Sequence, residues 1–141
     1  MAQATASIDI PVPADQVWQL IGGFGSLPDW LPYVPNSELH EGGRVRHLAN
    51  PDGATIVERL ITFDHPGRSY SYAILQAPFP VTNYLSTLRV KETNGGTGAR
   101  VEWSGQFTPE GVSDQEASCL FQGVYEDGLK ALAKELTSNK T

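Results

Sequence analysis

The chain has 141 residues, 40% of them hydrophobic and 18% charged, which suits one domain over residues 1–141 with a sizeable core and argues against disorder. Its net charge of −6, with 10 Lys and Arg against 16 Asp and Glu, argues against a nucleic-acid or anionic-membrane surface. A single cysteine, Cys119, excludes an internal disulfide and every Cys-based zinc pattern, and no apolar run approaches the ~20 residues of a membrane span.

Gln3–Ile10 alternates apolar and polar residues and predicts a half-buried strand that Pro11 and Pro13 stop. Ala14–Ile21 predicts a short helix: Val17, Trp18, Leu20 and Ile21 are its apolar residues, and Asp15 suits the positive end of the dipole. Gly22 and Gly23 end it. Ser26–Trp30 predicts a second short helix, with Ser26 as cap and Pro28 in the first turn, closed by Pro32 and Pro35.

From Asn36 to Phe107 the pattern is one of short strands. Ser37–Glu41 is weak; Arg44–Ala49, Ala54–Asp64, Ser69–Gln76, Asn83–Lys91 and Gly98–Phe107 are stronger. Turn residues join them, among them Asn50-Pro51-Asp52-Gly53 and Asn94-Gly95-Gly96, so an antiparallel meander is expected. Tyr70, Tyr72 and Ile74 share one face, as do Tyr84, Ser86, Leu88 and Val90, and Val101, Trp103 and Phe107.

Asp114–Leu136 predicts a long helix whose stripe is Ala117, Leu120, Phe121, Val124, Tyr125, Leu129, Leu132 and Leu136. Leu120, Val124 and Leu132 are expected to face the sheet. Ser113 and Glu116 form a candidate capping box, and Cys119, on the apolar edge, is expected to be a small core residue. Gly128 falls beside the stripe, where it leaves room for a strand or a ligand or simply allows close packing.

The sharpest chemical feature is Arg46 opposite Glu58 on the two strands that flank the Asn50–Gly53 turn. If both point inward they form an ion pair in an apolar pocket, which marks a site because a buried charge is costly unless paired. If both point outward they form a solvated cross-strand pair worth little. Tyr70, Tyr72 and Tyr84 either fill the sheet face or offer hydroxyls to a ligand. His40, His47 and His65 are scattered, no metal-ligand spacing occurs, and no phosphate loop, dinucleotide fingerprint or serine-nucleophile motif is present, so neither metal nor cofactor is expected.

The order and spacing of several short motifs resemble the helix-grip superfamily of START domains, birch-pollen-allergen-like proteins and polyketide cyclase/dehydrase-like proteins. The motifs are Val17-Trp18-Gln19-Leu20-Ile21, Phe24-Gly25, Trp30-Leu31-Pro32, Glu58-Arg59-Leu60, Phe63-Asp64, Tyr70-Ser71-Tyr72, Asn83-Tyr84 and Glu102-Trp103. The resemblance implies an α+β fold: a curved seven-strand antiparallel sheet around the C-terminal helix, with two short helices after the first strand. Arg46 and Glu58 fall where lachrymatory factor synthases carry their proton-handling pair. Glu58 and Tyr84 fall where the abscisic acid receptor group lines its hormone pocket. The chain departs from the receptors' gate at Asn50-Pro51-Asp52-Gly53 and from their latch at Pro78-Phe79-Pro80.

A sheet wrapped around a helix leaves a concave apolar space. Phe24, Trp30, Tyr72, Phe79, Phe121 and Tyr125 are expected to line or close it, with Glu58, Arg46 and Tyr84 as its chemical groups. The expected ligand is a small hydrophobic or amphipathic molecule, with no nucleic acid and no membrane insertion. The expected role is cofactor-independent proton transfer of lyase, isomerase, dehydratase or cyclase type. A non-catalytic carrier and an interaction module reporting ligand binding through its loops are the other two. No basic-then-apolar segment opens the chain, so the cytoplasm is the expected location.

Overall fold

The computed structural model describes residues 2–31, 34, 36–49 and 53–138. In chain order the elements are β1 (Ala2–Ile10), α1 (Ala14–Ile21), β2 (Asn36–His40), β3 (Val45–Ala49), β4 (Thr55–Asp64), β5 (Ser69–Gln76), β6 (Val81–Thr93), β7 (Gly98–Pro109) and α2 (Asp114–Ser138). The strands form one seven-stranded sheet in the order β1-β7-β6-β5-β4-β3-β2, antiparallel throughout. Short turns leave consecutive strands little choice but to pair with one another. Only β1 pairs out of sequence, closing against β7. The sheet curves around α2, giving the α+β helix-grip architecture.

The termini of α2 show how local chemistry sets its start. The Ser113 backbone N–H donates to Glu116 Oε1 at 3.2 Å, and the Glu116 N–H donates to Ser113 Oγ at 3.1 Å, a reciprocal capping box. Ala117, Phe121, Tyr125, Leu129 and Leu132 are buried against the sheet. Thr5 N–H of β1 donates to Gln122 Oε1 of α2 at 3.2 Å, so the helix also covers part of the free edge of that strand. The opposite edge, β2, carries exposed Glu38 and His40, charged or polar groups that discourage pairing with another chain.

Three local expectations are corrected. Leu120 does not face the sheet: it is 39% exposed. It sits ~100° around the helix from Phe121, off the ridge that Ala117, Phe121 and Tyr125 make at four-residue steps. Cys119, next to it, is exposed rather than a core residue. The segment after α1 is a single 3-10 turn, Leu27–Asp29, and Ser26 does not cap it; the Ser26 hydroxyl donates back to the Gly23 carbonyl at 2.7 Å. Asn50, Pro51 and Asp52 of the β3–β4 turn, and Pro32 and Pro35, lie outside the described residues.

The Tyr125 side chain of α2 packs directly on Gly105 of β7. Any Cβ there would collide with the Tyr125 hydroxyl. Gly128, the glycine that the helical pattern singles out, is buried too, but the seat of Tyr125 depends on Gly105. We expect Gly105→Ala to lower stability by about 1–3 kcal/mol through overpacking. Removing the clashing oxygen with Tyr125→Phe in the same chain should recover most of that loss. Denaturant unfolding of the single and double variants measures the coupling, and additive losses would refute the contact.

Candidate functional site

Arg46 of β3 and Glu58 of β4 are direct cross-strand partners. Alternation turns Arg46 and Leu48 inward on β3, and Ile56 and Glu58 inward on β4. Arg46 is 1% exposed and Glu58 6%, so the pair is buried, not solvated. Arg46 Nε donates to Glu58 Oε1 at 2.7 Å, and Nη2 lies 2.7 Å from the same oxygen. Both contacts fall on Oε1, so Oε2 is not engaged by Arg46. Nη1 donates to the Phe24 carbonyl at 2.9 Å and to Tyr70 Oη at 3.4 Å. The guanidinium also lies 4.1 Å from the Phe24 ring centre and 4.7 Å from that of Tyr72, within cation–π range. His47 points the other way, half-buried, and its ring centre lies 4.1 Å from that of His40.

The pair forms part of the wall of a cavity of about 190 Å³ between the sheet and α2. Among the sequence-predicted residues, Arg46, Glu58, Tyr72, Tyr84, Phe79, Phe121 and Tyr125 lie on this wall. Phe24 and Trp30 do not. Phe24 lies behind the wall, holding Arg46 through its carbonyl and ring. Trp30 is buried with its ring centre 5.9 Å from that of Trp103, and its Nε1 has no hydrogen-bond partner among the described residues.

The wall also includes Leu27, Leu31, Val34, Leu48, Ile56, Ile74, Trp103 and Val124, which sequence reasoning did not assign to it. The alternation of β7 already put Trp103 on one face with Val101 and Phe107, the signal that could have found it. Leu27, Leu31 and Val34 lie in an irregular segment with no period to read.

Tyr84 alternates in phase with Ser86, Leu88 and Val90 on the inner face of β6, and a bulge falls beside it. Thr82 pairs with Thr108 and Leu85 with Gln106, so Asn83 and Tyr84 together oppose Phe107. Asn83 takes φ 54°, a left-handed conformation that asparagine tolerates. This bulge brings Val81 to the same inner side as Tyr84, which strict alternation would not do.

The tyrosines form a polar patch within the apolar wall. Tyr84 and Tyr125 hydroxyls are 2.5 Å apart and share a hydrogen bond. Trp103 Nε1–H donates to both Tyr72 Oη at 3.1 Å and Ser86 Oγ at 3.0 Å, and Ser86 Oγ–H donates to the Ser104 carbonyl at 2.7 Å. Burial pushes the Tyr72 and Tyr84 hydroxyls well above the ordinary phenol range, and that of Tyr125 up to about 12, so all three stay protonated near neutral pH. Burial also opposes charge on Arg46, but the facing Glu58, with Tyr70 and Tyr72, outweighs it and holds the guanidinium cationic. For Glu58 burial is the largest influence and raises the carboxyl above its ordinary value, although Arg46 pulls the other way by charge and hydrogen bond. Among the described residues no cluster of His, Cys, Asp and Glu is arranged to hold a metal, and no helix is long and apolar enough to cross a membrane.

The family model described as polyketide cyclase / dehydrase and lipid transport matches residues 1–137. The chain belongs to that family. Among solved structures it is similar to the protein XoxI from Bacillus cereus, at 60% identity and TM-score 0.95 over 100% of both chains. It is also similar to an uncharacterized protein from Bacillus thuringiensis, at 63% identity and TM-score 0.92, covering 94% of this chain and 96% of that one. The Zhui aromatase/cyclase from Streptomyces sp. R1128 shares the fold at 19% identity and TM-score 0.74, over 95% of this chain and 90% of that one.

The balance at Glu58 is measurable. With its side-chain carboxyl carbon-13 labelled, an NMR titration should give a midpoint above the ordinary value of 4.5. A midpoint below it would mean that Arg46 outweighs burial. Because the native fold then binds this proton more tightly than the unfolded chain, the carboxyl's contribution to stability is fully present below the unfolded midpoint. It is lost as pH rises through the folded one. Glu58→Gln should remove that component of the pH dependence of unfolding.

Proposed function

We propose that the protein binds a small hydrophobic molecule in its internal cavity and catalyses a cofactor-independent proton transfer on it, of lyase, isomerase, dehydratase or cyclase type. The observation that carries this reading is the buried Arg46–Glu58 pair on the wall of an otherwise apolar cavity, with Glu58 Oε2 left free by Arg46. As a device for stability alone such a pair is poor, because apolar residues of similar volume do as well or better.

Glu58 is the proton-handling group: a carboxyl raised toward neutrality by burial can both accept and return a proton. Arg46 is a positioning residue. Its Nε and Nη2 hold Oε1, and Nη1 is tied to the Phe24 carbonyl, which fixes the plane of the carboxylate. Tyr84 contributes a neutral hydroxyl as donor. Membership in a family described by cyclases and dehydrases supports a reaction of this type, and the word lipid transport in the same description supports a second reading. In that second reading the mostly apolar wall serves a non-catalytic carrier.

The two readings separate in deuterated buffer with a panel of small carbon acids, namely ketones, nitroalkanes and thioesters. Proton NMR should show protein-dependent exchange of hydrogen for deuterium on at least one class. Glu58→Gln should lower that exchange by about 100- to 10,000-fold, since an amide keeps the shape but cannot act as the base. Binding of an apolar fluorescent dye by the folded variant should stay within a few-fold. Dye binding without exchange on any member of the panel would leave the carrier reading.

A further inference from the structure

Two hollows meet at one aromatic ring. Besides the internal cavity, the β5–β6 connection carries a surface hollow of about 280 Å³ whose walls include the exposed residues Leu75, Gln76, Thr82 and Asn83. Among the described residues, only Ile74 and Phe79 line both this hollow and the cavity. Ile74 is set in the β5 ladder opposite Glu58. Phe79 lies in the connection, outside either strand. It is half-buried, and its ring meets the Phe121 ring edge to face with centres 5.3 Å apart.

The backbone around Phe79 is pinned. Its carbonyl accepts from the Val81 N–H at 2.9 Å, and the Pro80 carbonyl accepts from the Glu110 N–H at 2.8 Å. Pro78 and Pro80 restrict the chain on both sides: each fixes its own φ, and Pro80 also holds Phe79 out of the helical region. A change of side chain at this position therefore alters space and leaves the course of the loop alone.

Size gives the ring a role. An apolar cavity of about 150 Å³ holds one benzene ring. The cavity here, at about 190 Å³, exceeds that by roughly 40 Å³, room for a substituent of one or two carbons. Past the Phe79 ring lies the surface hollow.

We infer that Phe79 is the size-determining residue of the site: its ring partitions the cavity from the surface hollow and limits the ligand to one ring with a one- or two-carbon substituent, or an apolar molecule of that bulk. With a small side chain in its place the two spaces join, and a longer ligand extends through the wall. The inference rests on ligand binding in the cavity, which the catalyst and the carrier share, and not on the proton transfer.

The probes are benzene, toluene, ethylbenzene, propylbenzene and butylbenzene, titrated into methyl-labelled protein and followed by NMR. Each newly buried CH₂ is worth about fourfold in affinity. In the unmodified protein affinity should climb by about that factor per carbon up to ethylbenzene and then stop, with butylbenzene no more than about twofold tighter than ethylbenzene. In Phe79→Ala the climb should continue, with butylbenzene at least about tenfold tighter than ethylbenzene. The end of its chain should then show nuclear Overhauser contacts to the methyl groups of Ala77 or Val81, which lie on the hollow and not on the cavity wall. Should the alanine variant lose its fold, Phe79→Leu, which removes less of the side chain, should move the limit outward by one or two carbons. A climb that runs on to butylbenzene in the unmodified protein would overturn the inference, as would a limit that neither variant moves. So would a gain in Phe79→Ala whose chain contacts stay within the cavity, at Leu48 and Ile56. The binding reading fails separately: if no member of the series binds saturably to the unmodified protein, that reading is lost and this inference with it.

Discussion

An arginine cannot shed its charge, so once Arg46 is drawn beneath the sheet everything near it must answer to that cation. Glu58 sits in register across the strand pair and neutralises it. The Phe24 carbonyl, at the turn after α1, takes a third contact, and aromatic faces from that turn and from β5 enclose the group. One side chain thereby ties the α1 turn to three adjacent strands. Breaking such a pair from one side leaves an uncompensated buried charge and typically costs 3–5 kcal/mol. The two partners are not equivalent, because Glu58 can discharge by taking a proton and Arg46 cannot. The same asymmetry that makes the pair structurally delicate makes Glu58 the chemically adaptable member.

The cavity follows from the way the sheet is gripped. Helix α2 packs most closely on β1 and β7, where Ala2, Ala4 and Ala6 face it and Gly105 lets Tyr125 approach. Toward β3 and β4 the sheet curves away, and the space that opens is walled by aromatic and aliphatic side chains. Phe121 carries the contact between the two regions, with its ring centre 5.3 Å from Phe79 and 4.7 Å from Phe107. Small residues meet the helix on β1, and large ones wall the space beside β3 and β4.

Polar groups in this wall are few and held. The Ser86–Trp103–Tyr72 chain runs from a backbone carbonyl of β7 to a cavity-facing hydroxyl, so the strand ladder itself orients the last group. Networks of this kind specify a geometry because each member loses its partner if another moves. The family to which the chain belongs is described by both chemistry and transport, and the fold serves either one. The arrangement of Glu58 and the tyrosines decides what the cavity can recognise.

The amino-acid sequence alone determined the element order, the antiparallel meander, the inward faces of β5, β6 and β7, and the capping box at Ser113 and Glu116. These follow from short-range rules: period-two and period-3.6 patterns, turn residues and terminal hydrogen bonds. It also brought Arg46 and Glu58 together as partners, since a hairpin fixes which residues face one another. Whether the pair turned to the core or to water depended on which face of the sheet α2 covered, and only the tertiary structure decided that. The exposure of Cys119 and Leu120, the placement of Phe24 and Trp30 off the wall, and the bulge at Asn83 that brings Val81 to the inner side were decided there too. So was the contact of Gly105 with Tyr125, made by residues 20 positions apart whose meeting no local pattern encodes. The packing of the helix on the sheet sets these outcomes as a sum over many side chains, whereas each strand and cap answers only to its neighbours in the chain.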